Sequence, residues 1–165
     1  MVEAILWFAQ VYAETPQDTI LDIACGYGRG VFELQKRGYD NVYGVDLSQK
    51  KIDFMRERGI PCAIGDMHDL REFTEFDLGF MSHAIEHSLD PRLVIEQMIN
   101  TCKIGMIICP IDSHKHELGT SPHTSPFTSR EDWKKLCDSF ENVEFQHYNK
   151  QRLSREVWSI YKRKK

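Results

Sequence analysis

The sequence predicts an α/β protein: a mostly parallel sheet with helices on both faces. Three observations lead there. Short apolar runs of strand length alternate with apolar stripes at three- and four-residue intervals, the period of a helix face. A run of this kind leads straight into three glycines set two apart, in LDIACGYGRG at 21–30. The last two runs, Val143–Tyr148 and Glu156–Tyr161, have no helical stripe between them, so a closing hairpin is expected. A chain of 165 residues suits one domain, spanning 1–165,.

The elements follow in order. Val2, Ile5, Leu6, Ala9 and Tyr12 form one stripe of an N-terminal helix, with Pro16 beyond its end,. Thr19–Ile23 reads as the first strand, followed by the glycines and a helix that buries Val31 and Leu34 and closes at Gly38. Asn41–Asp46 is the second strand. Ser48 stands where it can cap the helix of Ile52 and Met55, which Gly59 stops,. Ile60–Ile64 and Phe76–Met81 are the third and fourth strands. Pro91 opens a helix whose stripe is Val94, Ile95, Met98 and Cys102,. Met106–Cys109 is a fifth strand, ended by Pro110.

Residues 111–127 break the rhythm. Counting Pro110 at the edge, they hold three of the six prolines, and three of the seven histidines. A structureless stretch of this length inside a compact domain is usually functional or mobile. Thr128 or Ser129 then caps a helix through Phe140, with Glu131 and Asp132 suiting its positive first turn,.

Composition narrows the function classes. A net charge of −4 argues against a general nucleic-acid coat, and the basic tail 162–165 reads as a solvated end,. The five cysteines have no zinc spacing; Cys62, Cys102, Cys109 and Cys137 read as small buried hydrophobes in a reducing compartment, so a cytoplasmic location is expected,. The N-terminus lacks the layout of a secretion signal, and no apolar run reaches membrane-spanning length,.

The glycine motif is G-x-G-x-G, not the G-x-G-x-x-G that seats a dinucleotide pyrophosphate on a helix N-terminus,. Asp22, at its front, would repel a pyrophosphate and attract an ammonium. Asp46 ends the second strand in GVDLS, where a carboxylate accepts from both hydroxyls of a ribose,. Asp66 ends the third in GDMHDL, placed to accept from an adenine amino group, with Met67 beside the ring. An ammonium, a ribose and an adenine without a diphosphate fit S-adenosylmethionine better than NAD. Each residue also has a plain structural role open to it. Asp22 can cap the turn that follows, Asp46 can cap its helix, and Met67 can fill core.

LDIACGYGRG, GVDLS, GDMHDL and FDLGFMSHAIEHSLDP resemble, in order and spacing, the successive motifs of class I S-adenosylmethionine-dependent methyltransferases. The last resembles the small type 11 methyltransferase domains. The resemblance covers about residues 18–145. It implies a Rossmann-like three-layer sandwich with a seven-stranded sheet in the order 3-2-1-4-5-7-6, strand seven antiparallel. It implies that Asp22 lies near the methionine amino group, with Gly26 and Gly28 beneath the cofactor and Arg29 near its carboxylate. Asp46 would hold the ribose, Leu47 and Met67 sandwich the adenine, and Asp66 bind its amine. Ala24, where glycine is more usual, and Ser82 complete the cofactor-binding set. The helix within 1–15 would close over the cofactor. Its Trp7 and Phe8 are candidate exposed aromatics, with a homodimer contact or a core position as alternatives.

The search for a catalytic base falls on SHAIEHSLDP. A helical turn there would bring His83, Glu86 and His87 to one face,. His83 and His87 are the candidate catalytic residues, since imidazole takes protons near neutral pH. Two other readings stay open: Glu86-His87 only orders the loop, or it grips a metal. Small-RNA 2′-O-methyltransferases carry Glu-x-x-Glu-His at this place with a distant histidine. Here Glu86 and His87 match, His83 replaces the first glutamate, and His114, His116 or His123 is available as the distant ligand. The 111–127 stretch is expected to form an acceptor pocket or lid. A minimal chain without an inserted substrate domain favours a small-molecule acceptor, narrowly, over nucleic acid or protein. A non-catalytic subunit that binds S-adenosylmethionine for a partner is the alternative from another class.

Overall fold

The computed structural model describes residues 2–111, 127, 129–148 and 156–164. Its elements are α1 (Val2–Tyr12), β1 (Ile20–Ile23), α2 (Arg29–Gln35), β2 (Val42–Asp46), α3 (Gln49–Arg56), β3 (Cys62–Ile64) and β4 (Phe76–Ser82). A 3₁₀ turn at Ile85–His87 leads to α4 (Pro91–Thr101), β5 (Cys102–Pro110), α5 (Arg130–Asp138), β6 (Val143–Tyr148) and β7 (Glu156–Arg163). The seven strands among the described residues form one sheet in the order β3-β2-β1-β4-β5-β7-β6. β1 to β5 pair in parallel, and β7 runs antiparallel to both β5 and β6. The topology is the one implied by the family motifs.

Period-two alternation explains the two cores. Ile20 of β1 and Leu78 and Phe80 of β4 face α1, α2 and α3, meeting Phe8, Val31, Leu34, Ile52 and Met55,. Leu21, Ile23 and Met81 face the other way, onto Val94, Ile95 and Met98 of α4 and Trp133 of α5. The sheet is therefore apolar on both faces, as a parallel sheet between helix layers must be. Away from the crevice, the start of β4 is tied to β1: Asp77 accepts from the backbone N–H and hydroxyl of Thr19 and from Lys103 Nζ at 2.6 Å.

Several sequence expectations are corrected. Phe8 is fully buried, so its ring belongs to the core rather than to a cofactor cover or exposed contact. Trp7 is partly exposed and meets Tyr12 and Tyr148 edge-on. Cys102 begins β5 instead of ending the α4 stripe. Its register partner Phe76 draws it into the sheet, and a four-residue spacing from Met98 cannot distinguish a helix end from a strand start. Ser48 occupies the N-cap of α3, but its side chain makes no capping bond. Ser129 does cap α5, its hydroxyl accepting from the Asp132 N–H. Four cysteines are buried, Cys25 is partly so, and none forms a disulfide.

Candidate functional site

The carboxyl ends of β1, β2, β3 and β4 converge on a crevice of about 410 Å³. Ala24 lines it from the tip of β1, Asp46 and Leu47 from β2, and Gly65, Asp66 and Met67 from β3. Lys51, His68, His83, Ala84 and His87 complete the wall. This is the switch point of an open α/β sheet, where neighbouring crossovers leave to opposite faces and open a gap.

Asp46 is nearly buried and already well engaged. Its Oδ2 accepts from the Gly26 N–H at 2.9 Å and from Lys51 Nζ at 3.3 Å, and its Oδ1 accepts from the Ser48 N–H at 2.9 Å. The glycine loop and the start of α3 are thus hung on one carboxylate. The Ser48 N–H is engaged by Asp46, while its hydroxyl makes no capping bond.

Asp22 lies deeper. Burial raises its pKa well above the ordinary carboxylate value, the charge on Asp46 adds to the rise, and the Val31 N–H opposes it. It is not among the residues that line the crevice. A Cβ on Gly30 would stand 2.7 Å from its Oδ2 and 2.9 Å from the Phe80 ring, so only glycine lets the chain pass there,. Ala24, by contrast, has φ 57°, in the left-handed region where its methyl is strained,. The sequence shows an added methyl at position 24; the backbone angle that penalises it emerges only in the fold.

Asp66 is half exposed at the other end. Its Oδ1 accepts from the His68 N–H at 2.9 Å and pairs with His68 Nδ1 at 2.7 Å, and these bonds hold its pKa below the ordinary value. Leu47 and Met67 line the wall between the two carboxylates. Gly26, Gly28, Arg29 and Ser82 are not among the lining residues; Gly26 reaches the site only through its bond to Asp46.

After β4 the chain makes a 3₁₀ turn, not the helical turn expected for SHAIEHSLDP. His83 precedes it with φ 54°, a left-handed backbone at the tip of the strand. The three side chains therefore separate by depth. Glu86 turns inward and is 2% exposed, whereas His83 and His87 open to the crevice. Glu86 Oε1 lies 3.9 Å from His83 Nδ1 and from His87 Nε2, beyond hydrogen-bond reach,. His83 Nε2 instead pairs with Glu156 Oε1 of β7 at 3.0 Å. Ser82 Oγ and Glu86 Oε2 are buried without a hydrogen-bond partner among the described residues. Among those residues no cluster of three or more histidine, cysteine or acidic side chains is arranged to hold a metal. His114, His116, His123 and most of 111–127 lie outside the described residues.

Sequence reasoning missed Lys51, His68 and Glu156. Lys51 follows Asp46 by five residues, a spacing that one helical turn after the strand brings back to the carboxylate. His68 follows Asp66 by two, the spacing of an Asx turn. Glu156 carried no local signal, because only the β5–β7 pairing brings it to the β4 tip.

Residues 14–164 match the family described as methyltransferase domain. No curated protein matches the sequence. Among solved structures, an S-adenosylmethionine-dependent methyltransferase from Clostridium acetobutylicum superposes with a TM-score of 0.74 at 14% identity, covering 98% of this chain and 89% of that one. The magnesium protoporphyrin IX methyltransferase of Synechocystis, solved with bound SAH, gives 0.74 at 13% identity, over 99% and 82%. The methyltransferase domain of bacterial CtHen1 gives 0.72 at 15% identity, over 98% and 96%. With its fold, its crevice and this match over nearly the whole sequence, the chain belongs to the methyltransferase-domain family, as a class I enzyme dependent on S-adenosylmethionine.

Proposed function

We propose that this methyltransferase acts on a small-molecule acceptor, with the cofactor laid across the tips of β1, β2 and β3. The observation that carries the reading is the convergence of Asp46, Asp66, His83 and His87 on one crevice, the acids on the cofactor side and the two histidines beside them on the acceptor side. The residues fit the cofactor. A buried carboxylate with a raised pKa, Asp22, is relieved by a nearby ammonium,. The partnerless Ser82 Oγ and Glu86 Oε2 offer further polar atoms behind the β4 tip.

When bound, S-adenosylmethionine supplies a methyl group already activated by its sulfonium. Asp46, on the wall of the crevice, would hold the ribose diol. Leu47 and Met67 enclose the adenine, and Asp66 receives its amino group. Asp22 meets the methionine ammonium directly or through water. Ala24, Gly26 and Gly28 give backbone to the same end, with Arg29 and Ser82 beside it. His83 and His87 stand on the acceptor side of the crevice. The Glu156 carboxylate orients the His83 ring, so that His83 takes the acceptor's proton and His87 shapes the mouth,. The rest of the rate comes from positioning and from keeping water out.

The test is transfer of labelled methyl from S-adenosylmethionine by the purified chain to a metabolite extract, total RNA and total protein, offered in parallel. Label in the small-molecule fraction supports the proposal; label confined to RNA or protein overturns the acceptor class. A chelator added to the same assay separates the metal-assisted RNA reading: loss of RNA methylation, restored by a divalent cation, would favour that reading instead.

A further inference from the structure

We propose that His68 is a positioning residue for cofactor capture, holding one oxygen of Asp66 so that the other faces the adenine amino group. The proposal rests on the reading that Asp66 receives that group. Asp66 Oδ1 takes both donors His68 offers, the backbone N–H at 2.9 Å and Nδ1 at 2.7 Å. No hydrogen bond reaches Oδ2 among the described residues. An exposed aspartate ordinarily rotates between equivalent oxygens, and two bonds on one oxygen stop it.

His68 is itself fixed from behind. Its Nε2 lies 2.8 Å from Ser88 Oγ, and Ser88 is fully buried. Ser88 Oγ also accepts from the Asp90 N–H at 3.0 Å, and Asp90 caps α4 through the Leu93 N–H. A carboxylate only accepts, so Nδ1 is the donor in the 2.7 Å contact with Asp66,. The histidine proton then sits on Nδ1, a tautomer inferred from these bonds, and is donated to Asp66. A serine–histidine–aspartate line of this kind has the order of a nucleophilic triad, but buried Ser88 leaves no approach for a substrate. Its consequence is orientation. The acid that follows β3 is locked to the cap of α4 through His68 and Ser88, which lie twenty residues apart in sequence, and the crevice wall is rigid before the ligand arrives,.

The experiment is calorimetric titration of S-adenosylhomocysteine and of its 6-oxo analogue, S-inosylhomocysteine, into the parent chain and three variants. The analogue presents a carbonyl where adenine presents an amine, so the parent is expected to bind it about tenfold more weakly or worse. His68→Phe, with folding checked by circular dichroism, is expected to lose about tenfold in affinity for the adenine ligand and little for the analogue, narrowing the selectivity. His68→Asn places an amide N–H near the position of Nδ1 and is expected to recover most of the loss. Unchanged selectivity in His68→Phe, or an equal loss for both ligands, overturns the proposal. Asp66→Asn separates the two levels. If it keeps full selectivity, the adenine role of Asp66 fails; if it loses selectivity while His68→Phe does not, only the role of His68 fails.

Discussion

Asp22 and Ala24 sit two residues apart and are strained for different reasons. Asp22 has a raised pKa, so its folded form holds a proton that the unfolded chain has already released between the two pKa values,. Its favourable contribution is complete below about pH 4, the unfolded value, and is lost as pH rises through the folded value. Asp22→Asn should therefore melt higher than the parent at pH 7 without ligand, the gap closing as pH falls toward 4, while binding S-adenosylhomocysteine more weakly. A parent that melts higher at pH 7 would contradict the assignment. At Ala24 the strain is in the backbone. Glycine adopts φ 57° freely, so Ala24→Gly is expected to stabilise by about 1 kcal/mol in denaturant titration,. The sequence placed both residues at the cofactor motif, yet neither strain is visible there, because one needs a dielectric environment and the other a torsion angle.

Elements inherit their limits from a few polar bonds. α5 begins at a side-chain cap, with Ser129 Oγ accepting from the Asp132 N–H at 3.1 Å. Ser129→Ala should cost about 1 kcal/mol of stability, read as a lower urea midpoint with unchanged slope. Thr128 or Ser129 with Glu131 and Asp132 close behind made this start legible, and the fold selects Ser129. The start of α3 was less so, because its N-terminal contact runs through Asp46, the last residue of the preceding strand. β5 outgrew its expected range at the front, beginning at Cys102 directly after α4. Strand extent depends on available partners, and β4 offers Phe76 and Leu78 to the early residues of β5.

At the scale of the whole molecule, cofactor binding and folding are one equilibrium. S-adenosylhomocysteine at a hundred times its dissociation constant should add about 2.7 kcal/mol, or roughly 5–10 °C in melting temperature for a chain of this size. NAD should add little, and stabilisation by NAD alone would overturn the cofactor assignment. Among the described residues no helix is long and apolar enough to cross a membrane.

The sequence by itself determined the α/β class, the identity of most strands and the three carboxylates. Burial periodicity and glycine spacing are local, and both survive in a one-dimensional string. Tertiary structure alone decided how deep each carboxylate lies and which partners it keeps. Asp22 falls behind the crevice, Asp46 braces two loops, and Asp66 is held by His68 and, through it, by Ser88. It also brought Glu156 to His83 across seventy-three residues. Such contacts follow from strand order and from the depth at which a side chain meets its neighbours, and no local pattern of residues encodes either.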